Sequence, residues 1–315
     1  MDNIKIVFMG TPTFSVPVLE ALINNYNVVG VVTQPDKEVG RKKELVFSPV
    51  KEVAIKHNIK VLQPIKIRLD YSDVLALEPD MIITCAYGQI IPKEILDYPK
   101  YGCINVHGSL LPKYRGGAPI ERSIMNGDKE TGITIMHMDE GMDSGDIIVE
   151  ESISIDKDEH IDSLRERLSI LGRDLLIKTL PSILDGTAPR IKQNEEEVTF
   201  AKIIKKEDEL LDFNDNTINV YNKIRALSPV PGPYTILDNK RLKIYNSRIG
   251  TSTKGTVGEI INIYKDGIGI RTSDGELIIT DIQEEGKKRM LCSSYLNGIS
   301  KDKLLGKVLG VNNEV

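Results

Sequence analysis

Residues 4–33 read IKIVFMGTPTFSVPVLEALINNYNVVGVVT. Residues 4–9 are a near-continuous apolar run, the pattern of a strand covered on both faces. Gly10, Thr11 and Pro12 make a turn. Val18, Leu19, Leu22 and Ile23 then recur at helical spacing, and residues 28–33 (VVGVVT) form a second apolar strand. Strand, helix and strand in that order predict a βαβ unit and a parallel sheet. The turn lacks G-x-G-x-x-G and carries Pro12, which disfavours a dinucleotide site and a nicotinamide-dependent enzyme.

The same alternation continues. Residues 34–47 (QPDKEVGRKKELVF) read as a loop, with Arg41, Lys42 and Lys43 beside Gly40. Three adjacent basic residues are often only a solvated turn. This loop, however, is longer than an ordinary strand-to-helix connection and leaves the carboxyl end of a strand, where open α/β sheets bind ligands. A helix is expected over 48–57, a strand over 59–62, a helix over 69–78 and a strand over 80–86. Tyr87 to Ile91 follow, as pocket lining or as core. Residues 102–117 (GCINVHGSLLPKYRGG) begin as a strand and end as a glycine-rich loop. A helix at about 118–126, strands at 131–138 and 147–155 and a long helix at about 159–185 complete an α/β region. His57, His137 and His160 read as structural.

Residues 186–204 hold Gly, Pro and three consecutive glutamates, a linker composition. Beyond a helix at 215–227 the texture changes to short strands, at 233–237, 240–246, 256–263, 268–272 and 276–282, with turns such as LDNK, YKDG and SDGE. Such spacing predicts a small barrel. The expected layout is therefore a Rossmann-like, mostly parallel sheet domain over 1–188, a linker over 189–204 and a smaller C-terminal domain over 205–315.

Composition bounds the function. The chain has 315 residues, 40% of them hydrophobic, with a net charge of −5. No apolar run approaches the roughly 18 residues of a membrane span. The start, MDNIKIVFMG, reads as a strand rather than a signal peptide. Three scattered cysteines without a C-x-x-C pair argue against a disulfide frame or a zinc site. A protein of the reducing cytoplasm, monomeric and without metal or membrane association, is expected. Residues 205–315 carry 17 basic and 15 acidic side chains. This weakly basic half permits a polyanion partner, although an ordinary mixed surface accounts for it equally.

The chemistry concentrates in residues 102–117. Asn105 and His107 stand two apart, so an extended strand puts both on one face. An amide suits a developing oxyanion, and an imidazole suits proton transfer near neutral pH. Residues 139–146 (DEGMDSGD) are a carboxylate-rich turn, from which Asp143 would hold the imidazole in one tautomer. No nucleophilic Ser or Cys and no metal triad is evident. Transfer between two bound substrates fits better than a covalent enzyme intermediate.

Together, NVHGSLLPKYRGGAPI and the DEGMDSGD that starts 32 residues after His107 resemble the 10-formyltetrahydrofolate-dependent formyltransferases. The resemblance extends over nearly the whole chain, through IVFMGTP, TQPDK, AYGQIIP, RALSPVPGPYT and EGKKRM. The loop and C-terminal motifs are similar to the branch that acts on tRNA. The resemblance implies 10-formyltetrahydrofolate as formyl-donor co-substrate and initiator methionyl-tRNA as acceptor. It implies Asn105, His107 and Asp143 as the catalytic set, selecting Asp143 over Asp139 and Asp146. It implies folate contacts at Tyr87, Gly88, Gln89, Ile90 and Ile91 and at Ser109, Leu110, Leu111 and Pro112. It also implies tRNA contacts by Arg41, Lys42 and Lys43, and an OB-like C-terminal tRNA-binding domain. Many relatives carry Trp where this chain has Val230. The competing expectations are a formyltransferase for a small amine, such as a nucleotide sugar or glycinamide ribonucleotide, and a non-catalytic RNA-binding relative.

Overall fold

A computed structural model describes residues 4–40 and 43–310. The described chain forms two compact units. The first comprises residues up to Pro119, Glu130–Ser154 and Arg165–Lys202; the second comprises Ile120–Lys129, Ile155–Leu164 and the chain from Ile203 onward.

The first unit is built on β1 (Lys5–Gly10), α1 (Val16–Asn25), β2 (Asn27–Val32), β3 (Lys37–Val39), β4 (Glu44–Val46), α2 (Pro49–Lys56), β5 (Val61–Leu62), α3 (Ser72–Leu75), β6 (Met81–Cys85), α4 (Lys93–Leu96) and β7 (Cys103–His107). After α5 (Pro119–Met125) come β8 (Glu130–His137), β9 (Ile147–Ser154) and α6 (Ile161–Asp185). One sheet runs β5-β2-β1-β6-β7-β8-β9. Its first five strands are parallel; β8 pairs antiparallel with β7, and β9 pairs antiparallel with β8. The chain leaves β1 for β2 on one side and later returns as β6 on the other. The β1–β6 boundary is therefore the switch point where such sheets open a crevice.

The burial of the strands follows their composition. Residues 6–9 of β1 and all of β6 and β7 are buried, as expected of parallel strands covered on both faces. Ser48 caps α2 by accepting from the Lys51 N–H at 3.1 Å, with Pro49 in the first turn. In α6, Leu164, Leu168, Leu175 and Leu176 are buried and Leu171 is half-buried. Gly172 lets this helix lie close to the sheet: a Cβ there would stand 2.9 Å from Val106 Cγ1 of β7.

The loop expected over 34–47 instead contains the β3–β4 hairpin, with Lys37 opposite Val46. Its charged sequence hid it: Lys37, Glu38 and Glu44–Val46 are exposed, so burial imposes no alternation on them. The helix expected over 69–78 is reduced to the single turn of α3.

The second unit holds α7 (Thr217–Leu227), β10 (Tyr234–Leu237), β11 (Lys240–Ile249), β12 (Ile260–Ile263), β13 (Ile268–Arg271), β14 (Glu276–Glu284), β15 (Met290–Leu291) and α8 (Cys292–Asn297). Its antiparallel sheet is ordered β10-β11-β14-β13-β12, with β15 on β14. This is a half-barrel around Val220, Ile224, Ile244, Ile270 and Ile282. Asp238 and Asn239 both take positive φ, at 51° and 60°, in the two-residue turn between β10 and β11. That conformation matches the twist of the hairpin and favours Asp and Asn.

Cys85, Cys103 and Cys292 are free, buried thiols, each pushed up to about 12 by burial. No helix among the described residues is long and apolar enough to cross a membrane.

Two predictions follow from this packing. Gly172→Val should destabilise the protein by about 1–3 kcal/mol through overpacking against β7, read as a lower urea midpoint. The second concerns His137 and His160, whose imidazoles burial holds below the ordinary histidine range. The folded chain then binds fewer protons than the unfolded chain below about pH 6.5. The associated stability is present above that pH and is lost as pH falls through the depressed folded values. The urea midpoint should fall between about pH 7.5 and about pH 5.5, and fall less in His137→Asn/His160→Asn. An equal fall in both proteins would assign the acid lability to other groups.

Candidate active site

Strand β7 lies between β6 and β8, with Asn105 beside Thr84 and Met136, and His107 beside Thr134. Alternation sends Asn105 and His107 to one face and Val106 to the other, against Gly172 of α6. Both polar side chains are buried, at 9% and 6% exposure. They sit at the carboxyl end of the strand, where the chain leaves the sheet.

Several polar atoms at this end are held by hydrogen bonds to named neighbours. Thr84 Oγ1 donates to Asn105 Oδ1 at 2.8 Å, which turns the amide nitrogen toward Asp143. Asn105 Nδ2 donates to Asp143 Oδ1 at 3.3 Å, and the Gly116 N–H donates to Asp143 Oδ2 at 2.8 Å. His107 Nδ1 lies 3.7 Å from Asp143 Oδ1. His107 Nε2 is 3.0 Å from the Tyr114 carbonyl oxygen. A carbonyl only accepts, so this contact places the proton on Nε2 and leaves Nδ1 as the nitrogen facing Asp143. The tautomer is thus set by the Tyr114 backbone, where the sequence had suggested Asp143.

Asp143 reaches this position from a strained turn, with φ of 49°. Its two acidic neighbours are engaged elsewhere. Asp139 accepts from the Gly141 N–H and Ser144 Oγ, and Asp146 pairs with Arg190 at 3.1 Å. Gly116 has φ of 119°, and a Cβ there would come within 2.8 Å of the Ala201 carbonyl oxygen.

The remaining expected contacts fall into distinct environments. Ser109 is fully buried, and its Oγ donates to the Lys113 carbonyl at 2.7 Å. Leu111 is buried, while Leu110 and Pro112 are half-buried. Tyr87 and Ile91 belong to the core beside Val7, Met9 and Ile82, and the Tyr87 hydroxyl has no hydrogen-bond partner among the described residues. Gly88 takes φ of 88°, and Ile90 is exposed at 71%. Gln89 bridges loops, accepting from the Ile67 N–H at 2.8 Å and donating to Gln34 Oε1 at 3.2 Å. Lys43 is exposed in the hairpin turn and pairs with Glu38 at 3.5 Å. Arg41 and Lys42 lie outside the described residues.

Sequence reading missed two polar assemblies. At the root of the hairpin, Lys51 donates to Asp36 at 2.5 Å and to Gln63 at 2.8 Å, while Gln63 Nε2 donates to Asp36 at 2.8 Å. These bonds from Lys51 and Gln63 hold the Asp36 carboxyl below the usual carboxylate range. Gln34 Nε2 donates to the Tyr87 carbonyl at 3.0 Å, joining this root to the loop after β6. The second assembly involves residues 191–201, which run beside the loop after β7. Ile191 pairs with Ile147, and Phe200 pairs with Arg115. Single glutamines and lysines in polar stretches carry no sequence signal for either arrangement. Among the described residues, no group of three or more His, Cys, Asp or Glu is arranged to hold a metal ion.

The arrangement supplies an amide donor, an imidazole and a carboxylate within one strand end and two loops. Such a set can stabilise an oxyanion and move a proton without a covalent enzyme intermediate.

Comparison with known proteins places this site in a family. The family model described as formyl transferase matches residues 4–180, and that described as formyl transferase, C-terminal domain, matches residues 203–300. The methionyl-tRNA formyltransferase of Bacillus subtilis (strain 168) is 50% identical over 315 residues, covering 98% of this chain and 99% of that protein. Among solved structures, a methionyl-tRNA formyltransferase from Clostridium thermocellum superposes with a TM-score of 0.56 at 20% identity, over 79% of this chain and 94% of that one. An N-formyltransferase from Helicobacter canadensis, in complex with folinic acid and dTDP-3-aminofucose, superposes with a TM-score of 0.65 at 21% identity, over 90% of this chain and all of that one. These two likenesses show the shared fold. The full-length identity and the matches to both domain models show that the chain belongs to the formyl transferase family, among its methionyl-tRNA formyltransferases.

Proposed function

We propose that the chain transfers the formyl group of 10-formyltetrahydrofolate to the α-amino group of initiator methionyl-tRNA. The observation that carries this reading is the joining of Asn105, His107 and Asp143 at the end of β7. The chain is also 50% identical, along its length, to a protein named for that activity. A small-amine acceptor is the second reading, motivated by the fold shared at 21% identity with the N-formyltransferase solved with folinic acid and dTDP-3-aminofucose. The full-length likeness to a methionyl-tRNA formyltransferase favours the tRNA substrate.

In the proposed reaction the neutral amine attacks the formyl carbon. A C–N bond forms, and the carbonyl π pair moves onto oxygen. The Asn105 amide, held by Thr84, directs an N–H at that oxyanion. His107, with its proton on Nε2, takes the amine's proton at Nδ1, and Asp143 alongside stabilises the imidazolium. The same proton then passes to N10 of the folate as the C–N10 bond breaks and the carbonyl re-forms. Atoms and charge balance without metal or redox chemistry. The loops after β6 and β7, at Tyr87–Ile91 and Ser109–Pro112, are proposed to hold the folate. Residues 1–188 form the proposed catalytic domain and 205–315 the proposed tRNA-binding domain. Arg41, Lys42 and Lys43 provide cations for the acceptor-stem phosphates.

Asp143→Asn and His107→Ala should each lower kcat by about 10²- to 10⁴-fold, the range of a lost general acid–base group. Circular dichroism should be unchanged. Near-native turnover in either variant at saturating substrates would remove that residue from the mechanism. Arg41→Ala/Lys42→Ala/Lys43→Ala should raise KM for charged tRNA and flatten the salt dependence of tRNA binding, because fewer counterions are displaced. Folate affinity should stay constant. An unchanged salt slope would place the tRNA contacts elsewhere.

A further inference from the structure

Asp143 needs external restraint to hold its position. A left-handed φ costs a non-glycine residue roughly 1–2 kcal/mol and persists only where neighbours over-determine it. The restraint comes from residues 191–201. Gln193 Nε2 donates to both the Asp143 and Gly145 carbonyl oxygens, each at 2.8 Å. The Gln193 Oε1 accepts from Arg115 Nε at 2.9 Å. One amide therefore grips both sides of the Asp143 turn and, at its other end, the loop that follows β7.

Arg115 completes this clamp. It is 5% exposed, and its two terminal nitrogens reach Glu195 at 2.8 and 3.3 Å. Its own backbone is fixed to the same segment: the Arg115 N–H donates to the Thr199 carbonyl at 2.9 Å, and the Ala201 N–H donates to the Arg115 carbonyl at 2.8 Å. Tyr114, whose carbonyl faces His107, donates its N–H to Thr199 Oγ1 at 2.8 Å. Gly116, whose N–H holds the Asp143 carboxylate, is the next residue. Segment 191–201 thus sets the backbone on both sides of the carboxylate, and Gln193 bonds to both of them.

We infer that Gln193 is a positioning residue for the formyl transfer: through its bonds to the Asp143 and Gly145 carbonyls and to Arg115, it holds Asp143 where Asn105, Gly116 and His107 meet it. This inference rests on the proposed catalytic role of Asp143. Gln193 touches no reacting atom in this arrangement. Its effect is transmitted by the turn.

The test compares Gln193→Met, which keeps the shape and removes all three hydrogen bonds, with Gln193→Glu, which keeps an acceptor for Arg115 and removes both donors. Formyl transfer is measured with methionyl-tRNA and 10-formyltetrahydrofolate, with Asp143→Asn and the double variant Asp143→Asn/Gln193→Met in parallel. Circular dichroism and melting select the folded variants. The expected result is a fall in kcat of about 10-fold or more in both single variants, with KM for each substrate within about twofold, and no further loss in the double variant. Non-additivity is the signature of a residue acting through another. Native kcat in either folded Gln193 variant overturns the inference, and so does a loss that multiplies with that of Asp143→Asn, which marks a general effect on the fold. If Asp143→Asn itself turns over normally, the catalytic reading fails first. If Asp143→Asn is impaired and Gln193→Met is not, only the positioning role fails.

Discussion

The site depends on one carboxylate held between two N–H donors. Asp143 receives the Asn105 amide on one oxygen and the Gly116 backbone on the other. Hydrogen bonds to a charged group contribute about 1.5–3 kcal/mol each, more than the roughly 1–2 kcal/mol that a left-handed aspartate costs. Those two bonds hold the carboxylate, while the Gln193 amide grips the turn backbone at the Asp143 and Gly145 carbonyls. Asn105 is aimed by Thr84 on β6, and Gly116 by the passage of Ala201 so close that no side chain fits. The centre is joined to the sheet through Asn105 and to the loops through Gly116.

The sheet supplies the rigid half of this arrangement. β7 has neighbours on both edges and a buried face on each side, so its last residues cannot shift without moving β6 and β8. Gly172 brings α6 against Val106, between the two functional residues on the opposite face. Sites carried on such strands are more precise than sites carried wholly on loops. The Tyr114 carbonyl adds a second fixed point by deciding which imidazole nitrogen bears the proton. Asp143 is then left with a neighbouring role, at 3.7 Å, suited to the charged imidazole rather than to orienting the neutral one.

Legibility in the sequence tracks the kind of interaction. The parallel sheet was readable because residues 6–9, 30–33 and 81–85 are buried, which makes the strand centres mostly apolar. The pairing of Asn105 with His107 was readable because a strand has a period of two. The short hairpin was not, since Lys37, Glu38 and Glu44–Val46 are exposed and burial does not pattern them. The run at 186–204 has the composition of a linker, and composition says nothing about backbone pairing such as that of Phe200 with Arg115. Gln193 stands beside Asn194 in a polar run, and only three-dimensional proximity shows that both ends of its amide are used. Tyr87 and Ile91 share a motif with Ile90, yet the first two are core and the third is exposed.

The hairpin differs physically from the centre. A two-stranded ribbon is marginal on its own in water, so β3–β4 depends on its root. There Asp36, Lys51, Gln63 and Gln34 satisfy one another, and the Asp36–Lys51 pair is largely screened from solvent, at 15% and 13% side-chain exposure. An ion pair so enclosed is directional, and breaking it would strand a charge. Beyond it, Leu45, Val46 and Phe47 are exposed at 61%, 48% and 39%. Apolar residues at that exposure contribute little to the stability of the first unit. The root therefore fixes where the hairpin leaves the carboxyl edge of the sheet, and Phe47 adds its ring against the Lys51 ammonium at 4.0 Å. Gln34 and Gln89 tie the same root to the loop after β6. The start of the hairpin and the shape of the loop proposed for folate are consequently set by one polar network, separate from the one that sets Asp143.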